Sequence, residues 1–279
     1  VIATDGAFYG SGAALALAAN SVATLTNCSL IGGNNAIRVP SSGADFATGT
    51  STANIIGGSL ESSGALIQSY KSSGTTEQAN AIINISGGAT AKSDIGILYT
   101  DAEASYSSKF VQINIAGDNT VVEGRIINQN SSIETTLKVS DGATWTSAGN
   151  SDMDYLTLDN ANLDYTLTSL ADHITVGEIN TTGSNTMHVT LSNDTLEEIN
   201  SNPLPYVIDL TKIIEAGLGV TDDIEYILAD YNREGSTWEI NKIAEGVYEI
   251  SNINIIPEPA AAAGLLGALA LVFVARRRK

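Results

Sequence analysis

Apolar and polar residues alternate along most of the chain, in short runs that are separated by turn residues. A spacing of two places the apolar set on one face of a β-strand. The pattern therefore predicts an all-β protein with many short strands. The clearest runs are Val111, Ile113 and Ile115, then Leu137 and Val139, then Leu156 and Leu158, and then Met187, Val189 and Leu191.

Strand and turn strings recur along the first two thirds of the chain. Each string joins a short strand to a tight glycine turn, and successive turns lie about 25 to 30 residues apart. One such unit cannot bury its apolar face alone, but stacked units share a continuous core. A β-solenoid is therefore predicted for residues 1–192. The turn glycines are Gly33, Gly58, Gly88, Gly117 and Gly142.

The pattern changes in residues 193–254, which are predicted to form a mixed segment that caps the solenoid. Asp194 or Asn193 is expected to cap a short helix that carries Leu196 and Ile199. Strand-like runs return at 224–229, 237–243 and 247–253. They are expected to cover the last strands and so prevent association between sheet edges.

A second short helix is expected within this capping segment. Asp209 or Thr211 would cap it, Ile213 and Ile214 would form its apolar side, and Gly217 would end it.

The last segment, residues 255–279, has three parts. Pro257-Glu258-Pro259 should be an extended, exposed break, because proline fixes φ and lacks a backbone donor. Residues 260–275 carry no charge, and as a helix of about 24 Å they fall short of the roughly 30 Å hydrocarbon core. A transient membrane segment is therefore predicted, with the basic end on the cytoplasmic side. The membrane residues include Ala260, Leu265, Leu266, Leu269, Leu271, Val272, Phe273, Val274 and Ala275, and the basic residues are Arg276, Arg277, Arg278 and Lys279.

This three-part tail resembles the PEP-CTERM sorting signal of Gram-negative bacteria. The resemblance implies export, recognition of Pro257, Glu258 and Pro259 by an exosortase-type membrane protease, and cleavage near them. It also implies an inner-membrane precursor and a final place on the cell surface or in the extracellular matrix. The chain begins at Val1 without a signal sequence, and we expect it to be a fragment of a longer exported protein.

The body also resembles a known group of repeats. The stretches 139–150 and 156–164 are similar to repeats of autotransporter passenger domains, which are right-handed parallel β-helices. The resemblance implies that fold. Together with the patterns described above, the prediction is a right-handed parallel β-helix with a C-terminal capping β element and a single C-terminal hydrophobic helix. The chain departs from the autotransporter family in its tail, so self-translocation is not implied.

Charge and cysteine content exclude several functions. The net charge is −18, and four of the thirteen basic residues are the last four of the chain, so the body is more acidic still. Such a body repels phosphate, which argues against nucleic acid as a partner. Cys28 is the only cysteine, so no intramolecular disulfide can form. Its expected role is that of a small buried residue.

No strong catalytic or metal-binding motif is present, and no cofactor is predicted. Adjacent acids in an acidic chain are usually solvated loop residues, and a lone arginine on a strand usually lies at the surface. His173 and His188, the two histidines, would need further ligands to hold a metal. The weak candidates are Asp152 with Asp154, Glu197 with Glu198, Asp222 with Asp223, and Arg125.

Two functions remain open from the sequence. The first is a non-enzymatic surface or matrix protein whose solenoid presents a face rich in Thr, Ser and Asn, either for adhesion or for structural packing with extracellular polysaccharide. The alternative is a carbohydrate-active β-helix enzyme, a polysaccharide lyase or glycoside hydrolase, with its catalytic repeats in a missing N-terminal region.

Overall fold

The computed structural model describes residues 1–18, 20–40, 49–70, 80–100, 109–229 and 237–254. Most of them lie in strands of one large, strongly curled parallel sheet. A separate three-stranded antiparallel sheet and one α-helix accompany it. The predicted all-β class is confirmed in this form, whereas the predicted sorting tail, residues 255–279, lies outside the described residues.

The strands of the parallel sheet are short, mostly three to nine residues. In chain order they are β1 (Ile2–Thr4), β2 (Ala7–Gly10), β3 (Ala13–Ala16), β4 (Val22–Gly32), β5 (Asn35–Pro40), β6 (Thr50–Ser62), β7 (Ala65–Tyr70), β8 (Asn80–Ser86), β9 (Thr90–Ser93), β10 (Gly96–Thr100), β11 (Lys109–Ala116), β12 (Val121–Glu123), β13 (Ile126–Asn128), β14 (Ile133–Ser140), β15 (Thr144–Ala148), β16 (Ser151–Asp159), β17 (Asn162–Leu167), β18 (Ile174–Thr182), β19 (Asn185–Leu191), β21 (Ile214–Leu218) and β22 (Ile224–Leu228). The other elements are α1 (Asn193–Asn200), β20 (Tyr206–Asp209), a 3-10 helix (Leu210–Lys212), β23 (Thr237–Ala244) and β24 (Val247–Asn254).

The parallel strands pair in three rows. The first row runs through β1, β4, β6, β8, β11, β14, β16 and β18. The second row runs through β2, β4, β6, β9, β12, β15, β17, β19 and β22. The third row runs through β3, β5, β7, β10, β13, β16, β18 and β21. The chain thus visits each row in turn and then begins again.

Apolar side chains stack inside the curl in columns that follow these rows. Neighbours in a column are one strand spacing apart, about 4.8 Å, and each fully buried aliphatic side chain contributes roughly 1.5–3 kcal/mol. The predicted alternating sets are confirmed as inward-facing and buried. The first row contributes Ala53, Ile83, Ile113, Leu137 and Leu156, and the second row contributes Leu30, Leu60, Ala91, Val122, Trp145, Leu163 and Met187.

The turn from the first row to the second depends on a column of left-handed residues. In each repeat, the strand register places one residue at this corner, and the φ of that residue lies between 51° and 92°. Only glycine, asparagine and aspartate adopt this conformation at low cost. The column consists of Asp5, Asn27, Gly57, Gly87, Gly117, Asp141, Asn160 and Gly183.

The predicted glycine repeat matches this corner only in part. Gly117 belongs to the column, and Gly58, Gly88 and Gly142 directly follow a column residue. Gly33 lies instead at the turn from the second row to the third, where its backbone N–H donates to the Gly10 carbonyl at 2.8 Å. Several corners carry Asn or Asp, so a search for glycine alone could not find the true register.

The predicted helix near residue 196 is present as α1, with buried Leu196 and Ile199. Its N-cap is Ser192 rather than Asp194 or Asn193, and the Ser192 hydroxyl accepts a hydrogen bond from the Thr195 N–H at 3.2 Å. The predicted cap was therefore wrong by one or two positions.

The second predicted helix is wrong beyond its first turn. Asp209 caps only the 3-10 helix. The Thr211 hydroxyl donates a hydrogen bond to the Asp209 carboxylate, which holds the pKa of Asp209 below its usual range. Ile214 is the first residue of β21, where it pairs with Ile174 of β18. Pairing with the sheet has overridden the local helical preference.

The closing segment combines both sheets. β22 continues the second row beside β19, whereas β20 and β23 flank β24 in the antiparallel sheet. Buried Trp238, Tyr248 and Ile250 join the common core, and the Tyr248 hydroxyl donates to the Tyr226 carbonyl at 2.9 Å. Within the described ranges, no helix is long and apolar enough to span a membrane.

Candidate functional site

Part of the outward side of the first row forms a surface that we call the neutral face. This surface ends at β14, where Lys138 pairs with Asn114 and Glu134 pairs with Phe110. It covers the outward positions of β4, β6, β8 and β11, three from each strand. These positions alternate with the buried residues of the same strands, so their side chains are exposed or half-buried. The residues are Val22, Thr24 and Thr26; Thr52, Asn54 and Ile56; Ile82, Asn84 and Ser86; and Gln112, Asn114 and Ala116.

An asparagine ladder crosses the centre of this face. Asn114 Nδ2 donates to Asn84 Oδ1 at 2.7 Å, and Asn84 Nδ2 donates to Asn54 Oδ1 at 2.8 Å. Asn54 Nδ2 in turn donates to the Thr24 hydroxyl at 3.3 Å, and Gln112 Nε2 donates to Asn114 Oδ1 at 2.9 Å. The amides therefore hold one another in a fixed orientation at the strand spacing.

The outward side of the second row, which we call the charged row, has the opposite character. Lys92 forms an ion pair with Glu123 at 3.1 Å, and His188 Nδ1 lies 3.4 Å from Asp164 Oδ1. Glu61 precedes Lys92 in the same column. The neutral face carries none of these charges, although the whole chain has a net charge of −18.

The neutral face is suited to contact with an uncharged, hydroxyl-rich surface. Amide side chains both donate and accept hydrogen bonds, and exposed Val22 and Ile56 add apolar area between them. No carboxylate or ammonium group of the face would need to lose its hydration on contact, which is the large cost in burying charge. The amides of the ladder can donate and accept hydrogen bonds, but they are neither acids, bases nor nucleophiles.

The predicted acid pair Asp152 and Asp154 is divided between two roles. Asp154 Oδ2 accepts from the Thr135 N–H at 2.7 Å and from its hydroxyl at 3.0 Å, so it fastens neighbouring strands. Asp152 is exposed on the third row. Partial burial of the Asp152 carboxyl raises its pKa above the usual range, and the nearby Asp154 carboxylate raises the pKa further. His173 acts in the opposite direction.

The other predicted acid pairs have structural partners. Glu198 Oε2 accepts from the Leu170 N–H at 2.9 Å, which ties α1 to the turn before β18. Asp223 Oδ2 accepts from the Thr181 hydroxyl at 3.3 Å. Glu197 and Asp222 are exposed.

The histidines and the cysteine do not form a common site. His173 precedes β18 in the third row, whereas His188 lies on β19 in the second row, and no cluster of metal-ligating side chains occurs among the described residues. Cys28 is fully buried, which confirms its predicted packing role. Arg125 Nε donates to the Ile95 carbonyl at 3.2 Å, and its side chain is exposed, as predicted.

A scan against models of known protein families finds no match to this chain, and a search of curated proteins finds no match either. The functional proposal therefore depends on the surface chemistry of the curled sheet. The sorting residues Pro257, Glu258 and Pro259 and the membrane segment that follows lie outside the described residues, so their role stays a prediction.

Sequence reasoning anticipated a polar face but did not locate it. The signal was available, because Asn54, Asn84 and Asn114 recur at intervals of 30 residues. Their stacking could be recognised only when the strand register was known, since a shift of one residue would have placed them in the core.

Proposed function

We propose that this chain is an exported, non-enzymatic protein of the cell surface or extracellular matrix, and that its neutral face adheres to neutral polysaccharide. The observation that carries the proposal is the uncharged face on a strongly acidic chain. Charge elsewhere keeps the protein soluble and repels anionic polymers. On the neutral face, hydrogen bonds and apolar contact act without electrostatic repulsion, so this face is suited to adhesion.

The shape of the face supports the same ligand class. Four parallel strands at about 4.8 Å spacing present repeated amides and hydroxyls over roughly 14 Å. A packed, uncharged polysaccharide also presents repeated hydroxyls and flat C–H surfaces, which Ile56 and Val22 can contact. Many weak contacts repeated along two ordered surfaces can give useful avidity.

We also infer that the curled sheet is a right-handed parallel β-helix. A crossover between parallel strands of one sheet is right-handed in about 98% of cases. The cyclic order of the three rows places one crossover between parallel strands in every repeat, and this general preference supports the right-handed form. The closing antiparallel sheet would then act as the predicted cap.

The resemblance of residues 255–279 to a PEP-CTERM signal supports export and processing. In this proposal an exosortase-type protease recognises Pro257, Glu258 and Pro259, and the apolar segment holds the precursor transiently in the inner membrane of a Gram-negative-type bacterium. Intact mass and cell fractionation test this step. Loss of the tail and surface release only when the protease is present would support it, and an intact membrane-bound protein in both strains would refute it.

Adhesion can be tested directly by co-sedimentation. Purified protein would be mixed with microcrystalline cellulose, with chitin, and with insoluble β-1,3-glucan, and with a crosslinked anionic polysaccharide as the charge control. We expect saturable binding to at least one neutral polymer and much weaker binding to the anionic one. Absence of binding to all three neutral polymers, or preference for the anionic one, would contradict the proposal.

A further inference from the structure

A second polar surface lies on the third row, away from the neutral face. A groove of about 520 Å³ follows this row where it meets the turn from the second row. Its volume falls in the range of small-ligand sites, roughly 300–1,000 Å³. Ordered polar side chains from four successive repeats contribute to its lining, including Tyr99, Arg125, Asp152 and His173.

Two columns of outward residues form the floor of the groove. One column contains Ile127, Asp152 and Thr175, which are direct partners in register. The other column contains Arg125, Asn150 and His173, each two positions earlier in the same repeats. Buried Ile126, Ser151 and Ile174 separate the columns. With Tyr99 paired to Ile127, the floor extends about 14 Å along the sheet.

Several of these polar groups are held in place by the protein itself. The Tyr99 hydroxyl donates to Gln129 Oε1 at 3.0 Å, and Arg125 Nε donates to the Ile95 carbonyl at 3.2 Å. His173 Nδ1 lies 2.9 Å from the Ala171 carbonyl, and its backbone N–H donates to Asn150 Oδ1 at 2.9 Å. A guanidinium has five N–H donors, and the bond to the Ile95 carbonyl uses the one on Nε.

We propose that this groove binds a single chain of a neutral oligosaccharide along the third row. The Asp152 carboxylate accepts hydrogen bonds from two hydroxyls, the Arg125 guanidinium donates to sugar oxygens, and the Tyr99 ring provides a flat apolar side. Charge-assisted hydrogen bonds of this kind are about twice as strong as neutral ones. The choice of ligand class rests on the proposed function, but the site is separate from the neutral face.

The charge of the groove favours a neutral chain over a charged one. Its lining carries one positive charge, on Arg125, and one negative charge, on Asp152, so the formal charges cancel. An anionic glycan would meet Asp152 within a protein of net charge −18, and a polycation would meet Arg125. A neutral chain alone uses both groups as hydrogen-bonding partners without an unpaired charge.

The groove can be tested by calorimetric titration of the purified chain with cellohexaose, chitohexaose and laminarihexaose. The test variant is Asp152→Asn, which keeps the size of the side chain. It removes a charge that partial burial and then the nearby Asp154 already disfavour, so the fold should be unaffected. The matched control is Asp164→Asn, an exposed carboxylate of the charged row. We expect one hexasaccharide to bind, and its Kd to rise about tenfold or more in Asp152→Asn only.

Two results would overturn the inference: binding of none of the three hexasaccharides, or equal weakening in the two variants. A third variant, Ile56→Lys, separates this site from the neutral face. It should leave hexasaccharide binding unchanged, whatever its effect on insoluble polymers. If Ile56→Lys abolished hexasaccharide binding, the oligosaccharide would be bound at the neutral face and the groove would not be its site.

Discussion

The outward sides of the first and second rows differ along β4 and β6, two strands that run through both rows. β4 and β6 run through the two rows, with the same spacing and the same alternation of buried and outward residues. In the first row the outward residues of β6 are Thr52, Asn54 and Ile56, whereas in the second row they include Glu61. The fold therefore tolerates both chemistries at equivalent positions.

This difference shows which residues the fold requires. Inward residues must be apolar in both rows because they share one core. Outward residues have no such constraint, so a continuous uncharged patch in a chain this acidic is a property of the surface and not of the fold. This is why the proposed adhesion is placed on the neutral face and not on the charged row.

The largest expected effect concerns the inward positions, where the two rows should not differ. Ile83→Ala in the first row and Leu60→Ala in the second row each remove a fully buried side chain. Each should lower the free energy of unfolding by about 2–5 kcal/mol. Urea denaturation would measure both losses. A loss confined to one row would mean that the rows are not packed alike and that the comparison of their outer sides is unsound.

A smaller effect is expected from the asparagine ladder. Asn84→Ala removes one hydrogen bond to Asn54 and one from Asn114, and each such bond contributes about 1 kcal/mol. We expect a loss of about 1–2 kcal/mol in the same denaturation experiment. Asn180→Ala, in the same row beyond the ladder, is the control and should cost less than about 0.5 kcal/mol. Equal losses would show that the ladder adds no stability of its own.

The smallest effect is expected in the charged row. Lys92→Ala breaks the ion pair with Glu123, but both side chains are well exposed, at 64% and 45%. Such pairs contribute about 0–1 kcal/mol and weaken with salt. The difference from wild type should be small at low salt and should vanish in 1 M NaCl. A large, salt-independent loss would indicate that the charged row is structural.

The sequence allowed the strands and the core to be predicted, because both follow from alternation. The sets around Ile113 and Val189 lie inside the curl as predicted. The corner register was harder, since Asn27, Asp141 and Asn160 replace glycine in the left-handed column. Local propensity also failed at Ile214, where pairing with β18 decided the conformation.

For the candidate sites, the sequence predicted the types of residue that they contain but not where they lie on the fold. A face rich in Thr, Ser and Asn was expected, but its position depends on the register of β4, β6, β8 and β11. The groove depends on repeats of unequal length that bring Arg125, Asp152 and His173 together. Each of these three residues was a candidate in the sequence analysis, but no local pattern could show that they lie on one surface.

Two isoleucines allow the most direct test of the central claim. Ile56 on the neutral face and Ile31 on the second row are similarly exposed, at 40% and 36%. Ile56→Lys and Ile31→Lys therefore add the same charge at matched sites on different faces. Binding isotherms on the insoluble neutral polysaccharide should show at least about a tenfold loss of affinity for Ile56→Lys and little change for Ile31→Lys. Unchanged binding by Ile56→Lys, or equal losses in both, would contradict the account.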